Sequence, residues 1–167
     1  RVLDPNKEYG YEINIQGHQW QIYASNQADS IFGTPASSMS NDLIDAKDGS
    51  DTVDGGDKNT IYTGRGNDSI KVNDSDTIYS NQDWGGSEDS NDLFDNDTVL
   101  ANNANWISTG HGDDSIVAKS SDTIYAGDGN DQVHADDHSY IDAGKGNDTV
   151  DFDGGAHHST VIGGDGQ

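Results

Sequence analysis

The sequence predicts an all-β solenoid whose coils each use about 17 residues. Branched apolar residues recur at a fixed interval along the chain, and one half of each interval repeats the same glycine-containing segment. The composition is acidic and contains little apolar mass, which indicates that the coils need a stabiliser besides a hydrophobic core.

The period is set by Val and Ile. From residue 99 onward the steps between successive members alternate between 8 and 9 residues, and the same steps occur before residue 79. The members are Val53, Ile61, Ile70, Ile78, Val99, Ile107, Ile116, Ile124, Val133, Ile141 and Val150. Two short strands and two turns use up such a period, so each coil is predicted to place one branched residue from either strand into a thin interior.

The period is interrupted once. Ile70 and Val99 are 29 residues apart, as are Ile78 and Ile107, and this step is one period plus 12 residues. Both pairs therefore predict a 12-residue insertion, which falls near residues 80–92.

Residues 1–45 follow the period less strictly and are predicted to form a separate N-terminal segment. Polar residues alternate with Tyr11, Ile13 and Ile15 and then with Trp20, Ile22 and Ala24. This alternation predicts a hairpin that caps the first coil, and residues 46–167 are predicted to form the regular solenoid. Because the other end shows no capping pattern, we expect the chain to be a fragment of a longer protein. The open ends of the solenoid would allow end-to-end self-association.

The charge excludes several classes of partner. The chain has 31 acidic and 8 basic residues, a net charge of −23 and no cysteine. Nucleic acid and anionic membrane surfaces require a basic footprint, and no apolar run approaches the roughly 18 residues of a membrane span. Val, Leu, Ile and Phe make up only 28 of the 167 residues, so composition alone predicts a disordered chain unless a ligand stabilises it.

Calcium is the ligand that the turns favour. All but three of the acidic residues are Asp, whose short carboxylate reaches a hard cation held against a turn. The nine-residue half of the coil contains Thr63-Gly-Arg-Gly-Asn-Asp68, Thr109-Gly-His-Gly-Asp-Asp114, Ala126-Gly-Asp-Gly-Asn-Asp131 and Ala143-Gly-Lys-Gly-Asn-Asp148. Glycines at positive φ allow carbonyls to face one point, and stacked turns complete a cage of about six to eight oxygens.

These segments resemble the nonapeptide repeats of the RTX family, whose pattern is Gly-Gly-x-Gly-x-Asp-x-apolar-x. The resemblance covers about residues 46–167, and the first glycine is replaced by Ala or Thr in every copy except at Gly163. It implies a right-handed parallel β-roll with Ca²⁺ between successive turns, in a protein exported by a bacterial type I system.

The resemblance also implies the site residues. The ligand aspartates would be Asp51, Asp68, Asp114, Asp131 and Asp148, and the carbonyl donors would be Gly64, Gly66, Gly110, Gly112, Gly127, Gly129, Gly144, Gly146, Gly164 and Gly166. About four or five calcium ions are expected. The best sites would lie between turns 110–114 and 127–131, between 127–131 and 144–148, and between 144–148 and 163–166. The turn at 93–97 has lost both glycines, so the pattern is weakest beside it.

The eight-residue half of the coil lacks the glycines. Its equivalent column is Asn59, Asp76, Asn105, Asp122, Ser139 and Ser159. Such side chains suit a ladder of hydrogen bonds to the backbone of shortened turns, so calcium is expected mainly along the glycine-containing edge.

An aromatic face is predicted on the eight-residue strands. Tyr62, Tyr79 and Tyr125 would share one outward column, with Trp106 and Tyr140 in the next. Such a strip is able to contact sugar rings or another protein, but aromatic residues also favour strands and cover their neighbours.

Two functions are therefore predicted. The first is a non-catalytic calcium-folded segment of a secreted or cell-surface bacterial protein that serves export and folding, or a structural or adhesive role with a polysaccharide or a surface protein as partner. The alternative is a glycan-binding accessory module of a polysaccharide-acting enzyme, such as an epimerase or lyase. Catalysis by this segment is not expected, because repeated solvated turns offer neither a protected site nor a shifted pKa.

Overall fold

The computed structural model describes residues 10–15, 19–33, 40–81, 95–153 and 158–166. The strands in these ranges are β1 (Glu12–Ile15), β2 (Gln21–Tyr23), β3 (Ser30–Gly33), β4 (Leu43–Asp45), β5 (Thr52–Asp54), β6 (Thr60–Tyr62), β7 (Ser69–Lys71), β8 (Thr77–Tyr79), β9 (Thr98–Leu100), β10 (Trp106–His111), β11 (Ser115–Val117), β12 (Thr123–Asp128), β13 (Gln132–Ala135), β14 (Tyr140–Asp142), β15 (Thr149–Phe152) and β16 (Thr160–Ile162). Within the described ranges there is no helix, and hence none long and apolar enough to cross a membrane.

The strands form two parallel sheets. The odd-numbered strands make one sheet, the odd sheet, and the even-numbered strands make the other, the even sheet. Each strand pairs with the strands two before and two after it in the chain, as β10 pairs with β8 and β12. A chain that alternates between two sheets in this way winds as a solenoid, so the predicted all-β parallel solenoid with coils of about 17 residues is confirmed.

The periodic Val and Ile residues fill the interior between the sheets. Ile44, Ile61, Ile78, Ile107, Ile124 and Ile141 line it from the even sheet, and Ile31, Val53, Ile70, Val99 and Ile116 line it from the odd sheet, all at most 1% exposed. Smaller residues complete the layer beside the even-sheet column, and among them the Thr109 hydroxyl donates to the Ala126 carbonyl oxygen at 2.8 Å. The Thr109 hydroxyl thus joins two neighbouring coils within this layer.

Pairing continues across the interruption in the period. Ile70 pairs with Val99 and Ile78 with Ile107, which are the two 29-residue steps. Residues 82–94, which contain most of the predicted insertion, lie outside the described residues. The two coils that flank them are neighbours in both sheets.

The predicted N-terminal hairpin was wrong. β1 pairs with β3 in the odd sheet, and β2 pairs with β4 in the even sheet, in parallel in both cases. Ile22 therefore continues the same buried column as Ile44 and Ile61. The alternation of apolar and polar residues is the same for a hairpin strand and for a coil strand with one buried face, so the pattern alone did not distinguish them. The same two sheets run through both predicted segments, 1–45 and 46–167, in the described part of the chain.

The short turns, which lead from each odd strand to the next even strand, contain a left-handed residue that is not glycine. Lys58, Ser75, Ala104 and Ser121 have φ values of 61°, 67°, 59° and 69°. A left-handed residue with a Cβ costs about 1–2 kcal/mol, so each short turn must be held in place by its neighbours.

Truncation of a side chain in the interior should remove its packing against the neighbouring coils and so lower the stability of the fold. We expect Ile116→Ala to lower the free energy of unfolding by about 2–5 kcal/mol, because Ile116 is fully buried and the thin interior has little freedom to collapse. Urea unfolding at saturating calcium, followed by circular dichroism, measures the change. Val117→Ala is the control, since Val117 lies on the outer face at 40% exposure; equal losses for both variants would contradict the assignment of the interior.

Candidate metal centre

The glycine turns, which lead from each even strand to the next odd strand, lie along one edge of the solenoid, called here the glycine edge. Their glycines stack directly on those of the neighbouring turns. A Cβ on Gly127, where φ is 113°, would lie 2.0 Å from the Gly110 carbonyl oxygen, and one on Gly129 would lie 1.9 Å from the Gly112 carbonyl oxygen. No other residue fits such an approach, so these glycines bring main-chain oxygens to one line.

The structure places the predicted carbonyl donors in two columns along this edge, Gly64, Gly110, Gly127, Gly144 and Gly164 in one and Gly66, Gly112, Gly129, Gly146 and Gly166 in the other. Two of these carbonyls also join the turns to each other. The Gly127 oxygen accepts the Lys145 N–H at 2.7 Å, and the Gly144 oxygen accepts the Asp165 N–H at 2.9 Å. A carbonyl oxygen has two lone pairs, so one lone pair on each remains for a cation.

The predicted ligand aspartates form a single ladder inside the glycine edge. The Oδ1 atom of each aspartate accepts the backbone N–H of the equivalent residue one coil earlier, as Asp131 does from Asp114 at 2.9 Å and Asp148 does from Asp131 at 3.0 Å. The full ladder is Asp51, Asp68, Asp97, Asp114, Asp131 and Asp148. One oxygen of each carboxylate is thereby fixed by the fold.

The second oxygen has no such partner. The Oδ2 atoms of all six aspartates in this ladder are buried without a hydrogen-bond partner. Burial is the largest cause that raises the pKa of Asp68 from 3.8 to about 9 and those of Asp51 and Asp97 to about 8. Neighbouring carboxylates also raise these pKa values, and the backbone hydrogen bonds of the ladder oppose the shift. Burial likewise raises the pKa of Asp114 to about 7 and that of Asp131 to about 6. The expectation of solvated turns with ordinary pKa values was therefore wrong for these five aspartates, whose buried charge a proton or a cation would relieve.

The ladder contains a residue that the sequence analysis missed. Asp97 accepts the Asp68 N–H at 2.8 Å, and its own N–H is donated to Asp114 at 2.8 Å. The spacing held the necessary signal, since Asp97 lies 17 residues before Asp114 and 29 after Asp68. The loss of both glycines in its turn concealed this equivalence.

Asp29 occupies the equivalent position one coil before Asp51 and begins the column. Its Oδ1 accepts the Tyr11 N–H and its Oδ2 accepts the Ser25 N–H at 2.8 Å, while its own N–H is donated to Asp51 at 2.6 Å. Both carboxylate oxygens of Asp29 are therefore satisfied by the first coil, and this residue needs no cation.

The residues on the glycine edge fit calcium rather than a metal held by side chains alone. Among the described residues, no three Asp, Glu or His side chains converge on one point. Each turn instead offers one buried carboxylate oxygen beside a column of glycine carbonyls. Calcium accepts such a mixture of carboxylate and main-chain oxygens, whereas zinc prefers histidine and thiolate.

The short-turn edge shows the predicted ladder with a different composition. Asn59 donates its N–H to Asp76 at 2.7 Å, Asp76 to Asn105 at 2.8 Å, and Asn105 to Asp122 at 2.7 Å. Burial raises the pKa of Asp76 to about 7 and that of Asp122 to about 6, and hydrogen bonds from the Asn59 and Asn105 backbone N–H groups oppose the two shifts. The Oδ2 atoms of Asp76 and Asp122 are also buried without a hydrogen-bond partner. Amide and hydroxyl members alternate with or replace the carboxylates here, so this edge carries fewer charges that need a cation.

The predicted aromatic face is a continuous strip on the even sheet. Ring centroids are 4.8 Å apart for Tyr62 and Tyr79, 4.7 Å for Tyr79 and Trp106, 5.6 Å for Trp106 and Tyr125, and 5.9 Å for Tyr125 and Tyr140. The Tyr62 and Tyr79 rings are parallel within 5° and cover one face of each other. This stacking stabilises adjacent strands and leaves less ring face for a sugar; glycan binding stays a prediction.

Comparison with known families yields one match. The RTX calcium-binding nonapeptide repeat matches in four copies, at residues 39–70, 55–83, 118–137 and 136–156, which together cover half of the 167-residue chain. The matches leave out the turn at 110–114, although its glycines and Asp114 occupy the same columns. No curated protein and no solved structure matches the chain.

Protons should substitute for the cation. Because the folded-state pKa values of Asp51, Asp68 and Asp97 are raised above 3.8, the folded chain binds more protons than the unfolded chain. Their contribution to stability is present below about pH 4 and is lost as the pH rises through the folded-state values. We expect metal-free protein to gain strand signal in circular dichroism as the pH falls from about 8 to about 5. The trend should disappear at saturating calcium; metal-free stability that rises with pH would contradict the buried ladder.

Substitution within the glycine columns should prevent stacking. We expect Gly127→Ala to destabilise the calcium-bound fold by at least about 1–2 kcal/mol, because its φ of 113° is strained for alanine and its Cβ would contact Gly110. Thermal unfolding at fixed calcium measures the loss. Gly163→Ala is the matched control, since a Cβ there has no atom within 4 Å; a comparable effect of both variants would refute close stacking as the cause.

Proposed function

Since this chain belongs to the RTX calcium-binding nonapeptide repeat family, we propose that it is a calcium-dependent folding module of a secreted bacterial protein. The observation that carries the proposal is the ladder on the glycine edge, in which six aspartates each keep one buried oxygen without a hydrogen-bond partner. An acidic chain with so few apolar residues has no other evident means to offset these buried charges.

The aspartates make folding conditional. In the folded chain their Oδ1 atoms are held by backbone N–H groups of the preceding coil, which fixes the Oδ2 atoms at the spacing of adjacent strands. At neutral pH the unfolded chain solvates these groups as carboxylates. Metal-free folding must either bury them charged and mutually repelling or protonate them, and both costs favour the unfolded chain. Bound Ca²⁺ supplies positive charge to these oxygens, so its binding free energy becomes folding free energy.

We propose that about four or five ions bind along the glycine edge. The best-supported positions lie between turns 110–114 and 127–131 and between 127–131 and 144–148, where the turns are paired through Gly110 and Gly127 and through Asp128 and Lys145. A further position lies between 144–148 and 163–166, where Lys145 pairs with Asp165.

The same conditional folding suits export. The chain would stay unfolded in a calcium-poor cytoplasm, pass through a narrow channel, and fold outside where calcium is about millimolar. The folded module would then serve a structural or adhesive role at the cell surface, with a polysaccharide or a surface protein as partner, rather than a catalytic role.

A calcium titration tests the proposal. In chelator at neutral pH we expect a coil-like circular dichroism spectrum, and added calcium should restore strand signal cooperatively while calorimetry counts about four or five ions. Asp131→Asn should weaken binding, because asparagine preserves the acceptor for the Asp114 N–H but removes the charge. Asp151→Asn, at an exposed position on the odd sheet, is the control with the same change of charge. Sheets that persist in chelator at neutral pH would overturn the proposal.

A further inference from the structure

The short-turn edge carries two histidines at equivalent positions of adjacent coils. His138 directly precedes Ser139 and His158 directly precedes Ser159, and the Ser139 N–H donates to the Ser159 Oγ at 3.1 Å. Both histidines are left-handed, with φ values of 65°. In the other short turns of the described residues this left-handed position holds Gln19, Asn41, Lys58, Ser75, Ala104 or Ser121. The two short turns nearest the C-terminal end of the described chain therefore differ from the others in carrying imidazoles.

The two imidazole rings lie one above the other. The ring centroids of His138 and His158 are 5.0 Å apart, the ring planes differ by 15°, and both residues are exposed. The two residues are 20 positions apart in the sequence, so this contact exists only when the coils are stacked. The fold therefore brings together two nitrogen-bearing side chains that the sequence separates.

The backbone that carries the two rings is held on both sides. The Thr160 N–H donates to the Ser139 carbonyl oxygen at 2.9 Å, which joins the two coils directly after the histidines. The Ser121 N–H of the preceding coil donates to the Asp137 carbonyl oxygen at 3.1 Å. These hydrogen bonds set the spacing of the two histidine backbones, and only their exposed side chains remain able to rotate.

Two imidazoles at this spacing suit a divalent transition metal. Imidazole nitrogen is a preferred ligand of Cu²⁺, Zn²⁺ and Ni²⁺, whereas Ca²⁺ takes oxygen ligands. With metal–nitrogen bonds of about 2.0–2.1 Å, two nitrogens that share an ion lie roughly 3 Å apart. The lone pairs lie in the ring planes, so the two parallel rings must turn toward each other to reach one ion. Among the described residues no third His, Asp or Glu side chain converges with them, so water would complete the coordination.

The charge around the two rings attracts cations. Asp136 and Asp137 directly precede His138 in the same turn, and the whole chain carries a net charge of −23. Such a negative potential raises the local concentration of any cation. The choice among cations then depends on the ligand atoms, which are nitrogens here and oxygens on the glycine edge.

We propose that His138 and His158 together bind one divalent transition-metal ion of the imidazole-preferring class, such as Cu²⁺ or Zn²⁺, on the short-turn edge. The site is separate from the proposed calcium column, which lies on the glycine edge, and its nitrogen ligands do not suit calcium. Because the ion bridges two adjacent coils, it binds the folded chain better than the unfolded chain and stabilises the stacking of these coils.

Copper binding by the calcium-saturated full chain tests the site. Titration calorimetry with Cu²⁺ should show one ion that excess calcium does not displace, and electron paramagnetic resonance should show two imidazole nitrogens on it. His138→Ala and His158→Ala should each weaken binding at least about 10-fold, since even groups that only hydrogen-bond a ligand change metal affinity by about 10–100-fold. The turn accepts alanine, because Ala104 takes the equivalent position with a φ of 59°. Circular dichroism of both variants should therefore match that of the unchanged chain.

His134→Ala is the matched control, since the His134 imidazole is partly exposed and lies beside the carboxylates of Asp151 and Asp153. An equal loss of copper affinity in that variant would overturn the site, because any imidazole near carboxylates would then serve. Unchanged affinity in His138→Ala would also overturn it, whatever His158→Ala does. No copper binding by the folded chain would overturn this site and leave calcium-dependent folding intact. Sheets that persist without calcium would overturn the proposed function but not this site.

Discussion

The structure depends on a column of buried aspartates that lie one strand spacing apart. Carboxylates about 4.8 Å apart repel each other by about 3 kcal/mol at an effective dielectric constant near 20. The ladder also prevents the carboxylates from moving apart. The hydrogen bond from the Asp114 N–H to Asp131 fixes Oδ1 of Asp131 and thereby keeps its Oδ2 buried. A proton or a cation on that second oxygen would remove the repulsion, so the proposed calcium would compete with protons for the same atoms. Folding is thus thermodynamically linked both to proton binding and to the proposed metal binding.

The two edges of the solenoid satisfy the main-chain N–H groups of their turns with different side chains. On both edges a side-chain oxygen accepts an N–H from the preceding coil, which satisfies main-chain donors that a tight turn would otherwise leave unpaired. On the short-turn edge Asn59 and Asn105 separate the carboxylates, at the cost of a left-handed residue such as Ala104 in each turn. On the glycine edge the column is uninterrupted Asp, and the glycines expose carbonyls beside it. The short-turn edge therefore concentrates fewer carboxylates than the glycine edge, where the proposed calcium would bind.

The features that recur in every coil could be predicted from the sequence, whereas several irregular features could not. The 17-residue period identified the interior columns and the turn aspartates, because burial on one face imposes a strict register. It did not separate a hairpin from a coil at β1 and β2, since both show the same alternation and only long-range pairing distinguishes them. The left-handed Ala104 was equally hidden, because no glycine marks it. The buried state of the aspartates was missed because a polar turn is ordinarily solvated, and only stacking of neighbouring coils excludes water.

The insertion shows how such a stack tolerates irregularity. It leaves the coil at Asn81, which lies against Gly110, and returns at Asp95, which lies against Gly112. The two equivalent glycines of the other turns are separated by a single residue, so the ends to be joined lie close together. Loop-closure entropy grows slowly with length, and the strands on either side keep their register from Ile78 to Ile107. What is lost is the local backbone geometry that two glycines would give.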